Sequence, residues 1–244
     1  MVDYFWKCRT ELPSEKKSDF SFIMCENLKK HDNIVETFDY LYSIDKKLFI
    51  SGVKDIFSHI EERKEIYELL NNLYNRKNFF VTTNIDNGLQ KYLKIPDDNV
   101  SINPKFYYNP PKLITYLHGR IDNEESWIFT TEQYYRGYSK DSAPCKQYLK
   151  LIFENYNVLF IGYGLNENEI LSLIRLTNKR KIHYWLEGSN RNKLDYLKIR
   201  STTLKENYNI ELIPYNIDQN GYETLYDVIS LLYEVMSNKE GGIK

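Results

Sequence analysis

Phe79-Phe80-Val81-Thr82-Thr83-Asn84-Ile85-Asp86 is an apolar, β-branched run that breaks abruptly into Asn and Asp. Such a segment reads as a buried strand that delivers polar side chains to a pocket at its carboxyl end. Three later segments follow the same plan: Leu113-Ile114-Thr115-Tyr116-Leu117-His118-Gly119, Trp127-Ile128-Phe129-Thr130-Thr131-Glu132-Gln133-Tyr134, and Val158-Leu159-Phe160-Ile161-Gly162-Tyr163-Gly164-Leu165-Asn166.

Working outward, the spacing predicts strands at Phe79–Thr83, Leu113–Leu117, Trp127–Phe129, Val158–Gly162, Ile182–Leu186 and Ile210–Pro214. Amphipathic stretches fill most gaps and predict helices at Cys145–Tyr156, Glu167–Leu176, Lys193–Leu204 and Glu223–Val235. Short apolar runs alternating with such helices are the pattern of strands joined by crossover helices. The expected class is α/β: a Rossmann-like, mostly parallel sheet flanked by helices. Before it, Ile34–Tyr42 and Ile66–Tyr74 place apolar residues at helical spacing, so residues 1–77 read as a helical N-terminal part of the same domain. Residues 78–237 form the expected α/β core, 238–244 a flexible tail, and Asn103–Lys112, with three prolines, a loop beside the pocket.

The composition narrows the function classes. An apolar fraction of 42% over 244 residues suffices for a sizeable core. The 33 basic and 34 acidic residues nearly cancel, which argues against direct nucleic-acid binding through a basic surface. No segment approaches the roughly 18 consecutive apolar residues of a membrane span, and no signal-peptide plan opens the chain, so a cytoplasmic location is expected. Cys8, Cys25 and Cys145 are odd in number and widely spaced. They suit reduced thiols, and three cannot build a four-thiolate zinc site; no metal is expected.

In an open parallel sheet ligands bind outside the carboxyl ends of the strands, where Asn84, Asp86, His118, Gly162 and Gly164 all fall. Asn offers a donor and an acceptor without charge, Asp an acceptor, and His a proton carrier near neutral pH. Each also has a plainer reading. Asn84 and Asp86 suit caps of a helix beginning near Asn87, Thr130 suits the cap of another, and an isolated strand-end His is commonly a hydrogen-bonded structural residue. Asn166 and Glu169 fit a capping-box variant.

Taken together, Thr-x-Asn-x-Asp at 82–86, His118-Gly119, the Thr-x-x-x-Tyr segment at 130–135 and Gly162-Tyr163-Gly164-Leu165 resemble the Sir2-like NAD-consuming domains of bacterial antiphage defence. The resemblance covers about Phe79 to Tyr215. It implies that Asn84 orients the ribose or the attacking water and that His118 contacts the ribose and serves as general base. It further implies that Thr83, Ile85 and Asp86 line the nicotinamide end, and that Gly162, Gly164 and Leu165 bring backbone to the dinucleotide. Arg120 and Arg136 are candidates for the pyrophosphate. NAD is then a substrate.

Two departures stand out. The paired C-x-x-C motifs that hold zinc in Sir2 deacetylases are missing, which weakens a deacetylase reading. The family's opening strand and G-A-G-x-S phosphate loop have no counterpart; the nearest candidate, Phe49-Ile50-Ser51-Gly52-Val53-Lys54, has one glycine. The leading expectation is an NAD glycohydrolase effector of abortive infection, releasing nicotinamide and ADP-ribose. A protein partner carrying the sensor or activating function, or homo-oligomer assembly, would control it. The alternatives are an impaired nucleotide-binding or scaffold subunit of a defence complex, and an ADP-ribosyltransferase.

Overall fold

The computed structural model describes residues 34–58, 64–74, 78–104, 112–164, 168–177 and 181–241, with Ser14 and Lys16. In chain order the elements are α1 (Ile34–Ile44), α2 (Lys46–Ser58), α3 (Lys64–Tyr74), β1 (Phe80–Thr82), α4 (Gly88–Tyr92), β2 (Val100–Ile102) and β3 (Ile114–Tyr116). They continue as α5 (Thr131–Tyr134), α6 (Pro144–Asn155), β4 (Leu159–Phe160), α7 (Asn168–Leu176), β5 (His183–Ser189), α8 (Leu194–Tyr208), β6 (Ile210–Asn216) and α9 (Thr224–Gly241). The protein has a Rossmann-like α/β architecture of parallel three-stranded sheets flanked by helices. The chain divides into two compact units, each with one sheet. Among the described residues no helix is long and apolar enough to cross a membrane.

The first unit holds α1, α2 and the chain from Phe79 to Lys105 and from Asn109 to Cys145. Its sheet has the order β1-β3-β2, with Ile114 of the central strand opposite both Phe80 and Val100. All three residues of β3 are buried, which explains why Leu113–Leu117 carries no charge. The helices supply the core beside it. Asp45 Oδ1 accepts from the backbone N–H groups of Lys47 and Leu48 at 3.1 and 3.0 Å, which ends α1 and starts α2. Phe38, Leu41, Phe49 and Val53 from these helices then bury against Ile85 and Trp127. Phe49, Ser51 and Gly52, from the segment nearest in composition to a phosphate loop, lie within α2.

The second unit holds α3, most of α6 and the remainder of the chain to Lys244. Its sheet has the order β4-β5-β6, in register from His183 opposite Ile210 to Ser189 opposite Asn216. The left-handed Asn209 (φ 55°) closes α8 and turns the chain directly into β6; its side chain donates to Lys181 O at 2.7 Å. Leu73 of α3 and Leu225 and Ile229 of α9 pack on Leu186 and Tyr215. In the hydrogen-bonded order β6 is an end strand, and it carries the exposed Pro214.

Two strand expectations need correction. Trp127–Phe129 is extended but forms no ladder: Ile128 N donates to His118 O (3.1 Å) and Phe129 N to the Gln133 side chain (2.8 Å). Its apolar side chains serve the core beside α1 and α2 while its backbone is satisfied locally. Conversely β2 has no counterpart among the expected strands, because Val100-Ser101-Ile102 is too short between Asp97-Asp98-Asn99 and Asn103-Pro104 to show a period.

Candidate functional site

Parallel order places the carboxyl ends of β1, β3 and β2 along one edge of the first unit's sheet. Two backbone bonds then lay the post-β1 segment beside the post-β3 segment: Leu117 N donates to Thr82 O at 2.9 Å and Ile121 N to Ile85 O at 2.7 Å. Asn84 and His118 therefore occupy adjacent chain segments. Asn84 N is held by Thr82 Oγ1 at 3.0 Å, and its side chain is exposed. Ile85 turns inward and is buried. Asp86 accepts from Gly88 N, the first residue of α4, at 2.9 Å, while the N-cap position is Asn87, whose side chain makes no cap bond. Thr83 is partly exposed.

His118 is 7% exposed, and its Nε2 is buried with no hydrogen-bond partner. Tyr134 and Tyr138 meet the imidazole edge-on, at 5.3 and 5.9 Å between ring centroids. Burial lowers its pKa to about 4. The ring is therefore neutral at pH 7, the state in which a ring nitrogen can accept a proton. The aromatic wall follows from local sequence. Thr130 and Gln133 form a reciprocal capping box, starting α5, and the turn of π-helix at Tyr135–Ser139 sets Tyr138 in a stack on Tyr134 at 5.8 Å. Thr131 N also donates to Asp39 Oδ1 of α1 at 2.8 Å, which ties the aromatic wall to the helical layer.

Gly119 has φ +88°, and a Cβ there would lie 2.5 Å from both the carbonyl carbon and Oγ of Ser126. The Gly of the His-Gly pair is thus required for close backbone approach. Ser126 is itself held, since Asn103 Nδ2 donates to its carbonyl and Arg120 N to its hydroxyl. Asn103 joins the site although no motif marks it. It follows β2 as Asn84 follows β1, its N donates to Tyr116 O at 3.0 Å, and its Oδ1 is buried and unpartnered. The signal in the sequence is an Asn ending a short β-branched run. Tyr138 carries no such signal, because only the π turn brings it to His118.

Arg120 does not offer a free guanidinium. It reaches Asp122 (2.7 Å), Asp97 (2.8 Å) and Gln90 (2.9 Å) at a cleft of about 430 Å³ also lined by Lys91 and Lys94. Arg136 is exposed, 4.0 Å from Glu132. Cys145 donates from Sγ to Leu117 O at 3.5 Å, and burial pushes its thiol up to about 11, so it stays protonated. Among the described residues no group of three or more His, Cys, Asp or Glu is placed to hold a metal.

In the second unit Gly162 and Gly164 form an exposed turn after β4, while Leu165 and Asn166 lie outside the described residues. Gly162 has φ +63°, and a Cβ added to it would meet nothing within 4 Å. Gly162→Ala is accordingly expected to lower stability by only about 1 kcal/mol, the backbone cost of a left-handed L-residue, in urea denaturation. A larger loss would mean that the turn is packed. Trp185 Nε1 donates to Tyr163 O at 2.8 Å, and the Arg200 guanidinium lies 4.3 Å from the Trp185 ring centroid.

The family model described as a SIR2-like domain matches residues 78–213, more than half of the chain. Among curated proteins none matches the sequence.

Proposed function

Since the chain belongs to the SIR2-like domain family, we propose that it is an NAD glycohydrolase that splits NAD into nicotinamide and ADP-ribose, with Asn84 and His118 as its catalytic residues. One observation carries this reading. A buried histidine, neutral at pH 7 and walled by Tyr134 and Tyr138, keeps an unpartnered ring nitrogen beside the segment bearing an exposed Asn. Leaving a buried polar atom unpartnered is costly unless a substrate satisfies it.

Cleavage of the nicotinamide–ribose bond develops positive charge on the sugar, and water or another acceptor then takes the anomeric carbon. The neutral imidazole of His118 offers a ring nitrogen that can accept a hydrogen bond from a ribose hydroxyl or the attacking water, and the Asn84 amide is suited to fix a hydroxyl or the water without adding charge. Thr83, Ile85 and Asp86 are proposed to line the nicotinamide end. The biological setting proposed is antiphage defence by abortive infection, in the cytoplasm, with activity released by a protein partner or by homo-oligomer assembly.

A specific observation favours a second reading. Phe49, Ser51 and Gly52, from the segment nearest in composition to the family's phosphate loop, lie within α2 rather than in a loop. A scaffold that no longer binds the dinucleotide needs no such loop. Nicotinamide release from NAD, measured on the purified chain alone and with candidate partners, separates the two. Asn84→Ala is expected to reduce release at least about a hundredfold with an unchanged melting temperature. No release in any state, from folded protein, favours the scaffold; transfer of ADP-ribose to protein instead of water identifies a transferase.

A further inference from the structure

Within the first unit, Asn103 straps the stretch of chain that leaves β3 and returns at Ser126. Its backbone N–H donates to Tyr116 O at 3.0 Å, at the end of β3 just before His118, while its side-chain Nδ2 donates to Ser126 O. Gly119 packs directly against Ser126, and Ile128 N, just beyond, donates to His118 O at 3.1 Å. The His118-Gly119 pair is therefore gripped by the Ser126–Ile128 segment, and Asn103 fixes that segment to the strand. Only the NH2 of an amide can donate to a carbonyl, so the bond to Ser126 decides which way the amide lies. Oδ1 is left buried and unpartnered, a cost that a residue kept for packing alone would not carry.

We infer that Asn103 is a positioning residue: by tying Ser126 O to the end of β3 it holds the His118 ring in place between Tyr134 and Tyr138. This rests on the reading of His118 as a site residue for NAD. Asn103 acts through Ser126 and Gly119 and needs no contact with the reacting atoms. The aromatic wall is anchored separately, through Thr131 N to Asp39 Oδ1 of α1 at 2.8 Å. Freedom gained at Ser126 thus becomes displacement of the imidazole against its wall. Ser126 keeps the bond from Arg120 N to its hydroxyl at 3.1 Å, so losing the Asn103 side chain loosens the segment without releasing it.

Two variants spare the backbone, which has φ +45°. Asn103→Gly accepts that conformation and deletes the side chain; Asn103→Asp keeps the shape and replaces the donor by an oxygen that repels Ser126 O. Burial alone lowers the His118 pKa to about 4, so the protonated fraction of the ring, followed by NMR, reads its access to water. In the free protein at pH 5.5 that fraction is expected to rise roughly tenfold in both variants, with His183 of the second unit unchanged. Exchange of the Ile128 amide is expected to speed up roughly tenfold. In nicotinamide release from NAD, kcat is expected to fall roughly tenfold with KM within about twofold. An unchanged His118 fraction in folded variants overturns the inference, as does unchanged kcat in an active enzyme. Loss of the first unit's fold in both variants also overturns it, making Asn103 a residue of stability alone. Wild type that neither binds nor cleaves NAD defeats the functional reading instead, and the ring titration of the free chain then still decides whether Asn103 positions His118.

Discussion

Gly119→Ala is expected to abolish the fold of the first unit, with a loss above about 4 kcal/mol in urea denaturation. Two costs coincide. The backbone at φ +88° lies where an L-residue is strained, and the new Cβ would sit 2.5 Å from Ser126 backbone and side-chain atoms. Relief by moving Ser126 is blocked. Its carbonyl is bonded by Asn103 and its hydroxyl by Arg120 N, while Trp127 next to it donates its indole N–H to Arg120 O at 2.9 Å. Shifting that segment would also pull Trp127 from the core it shares with Phe38, Phe49 and Val53. A fold that survives with a loss no larger than that of Gly162→Ala would show that the Ser126 segment yields.

Acidification is expected to destabilise the native state steeply between pH 6.5 and pH 4. His118 and His183 are both buried, and burial lowers each pKa from 6.5 to about 4. Above pH 6.5 both are neutral whether the chain is folded or not, so they contribute no pH dependence. Between the two values the unfolded chain takes up protons that the native chain refuses, and stability falls with pH; below about 4 the native state protonates too. Each residue is then worth about 3 kcal/mol by pH 4, and the pair is comparable with the whole stability of a typical domain. His183→Gln, which removes the ring that accepts Val158 N at 3.3 Å, should lower stability at pH 7.5 yet flatten the acid slope. An unaltered slope in that variant would mean that His183 takes up its proton as readily in the native state as in the unfolded chain.

The strands that announce themselves in the sequence are those whose burial writes a run free of charge, as in β3, or whose register extends over seven residues, as in β5 and β6. Trp127–Phe129 misleads for a physical reason: core-facing aromatics and an extended backbone need no ladder when a His carbonyl and a Gln side chain satisfy the amides. Of the candidate site, strand-end residues are legible because a parallel sheet collects them at one edge. The aromatic wall is not. Tyr138 reaches His118 through a π turn, which no local period encodes.

Pro214 bears on how copies of this chain can meet. An end strand with free amides is a template on which a second molecule can add its own strand, joining two sheets edge to edge. In β6 one of those positions has no N–H to give, and the ring projects where an incoming backbone would have to lie. Pairing of two copies through their β6 edges is therefore disfavoured at this position. Replacing Pro214 by Val, a stronger strand former with a free amide, would remove that guard.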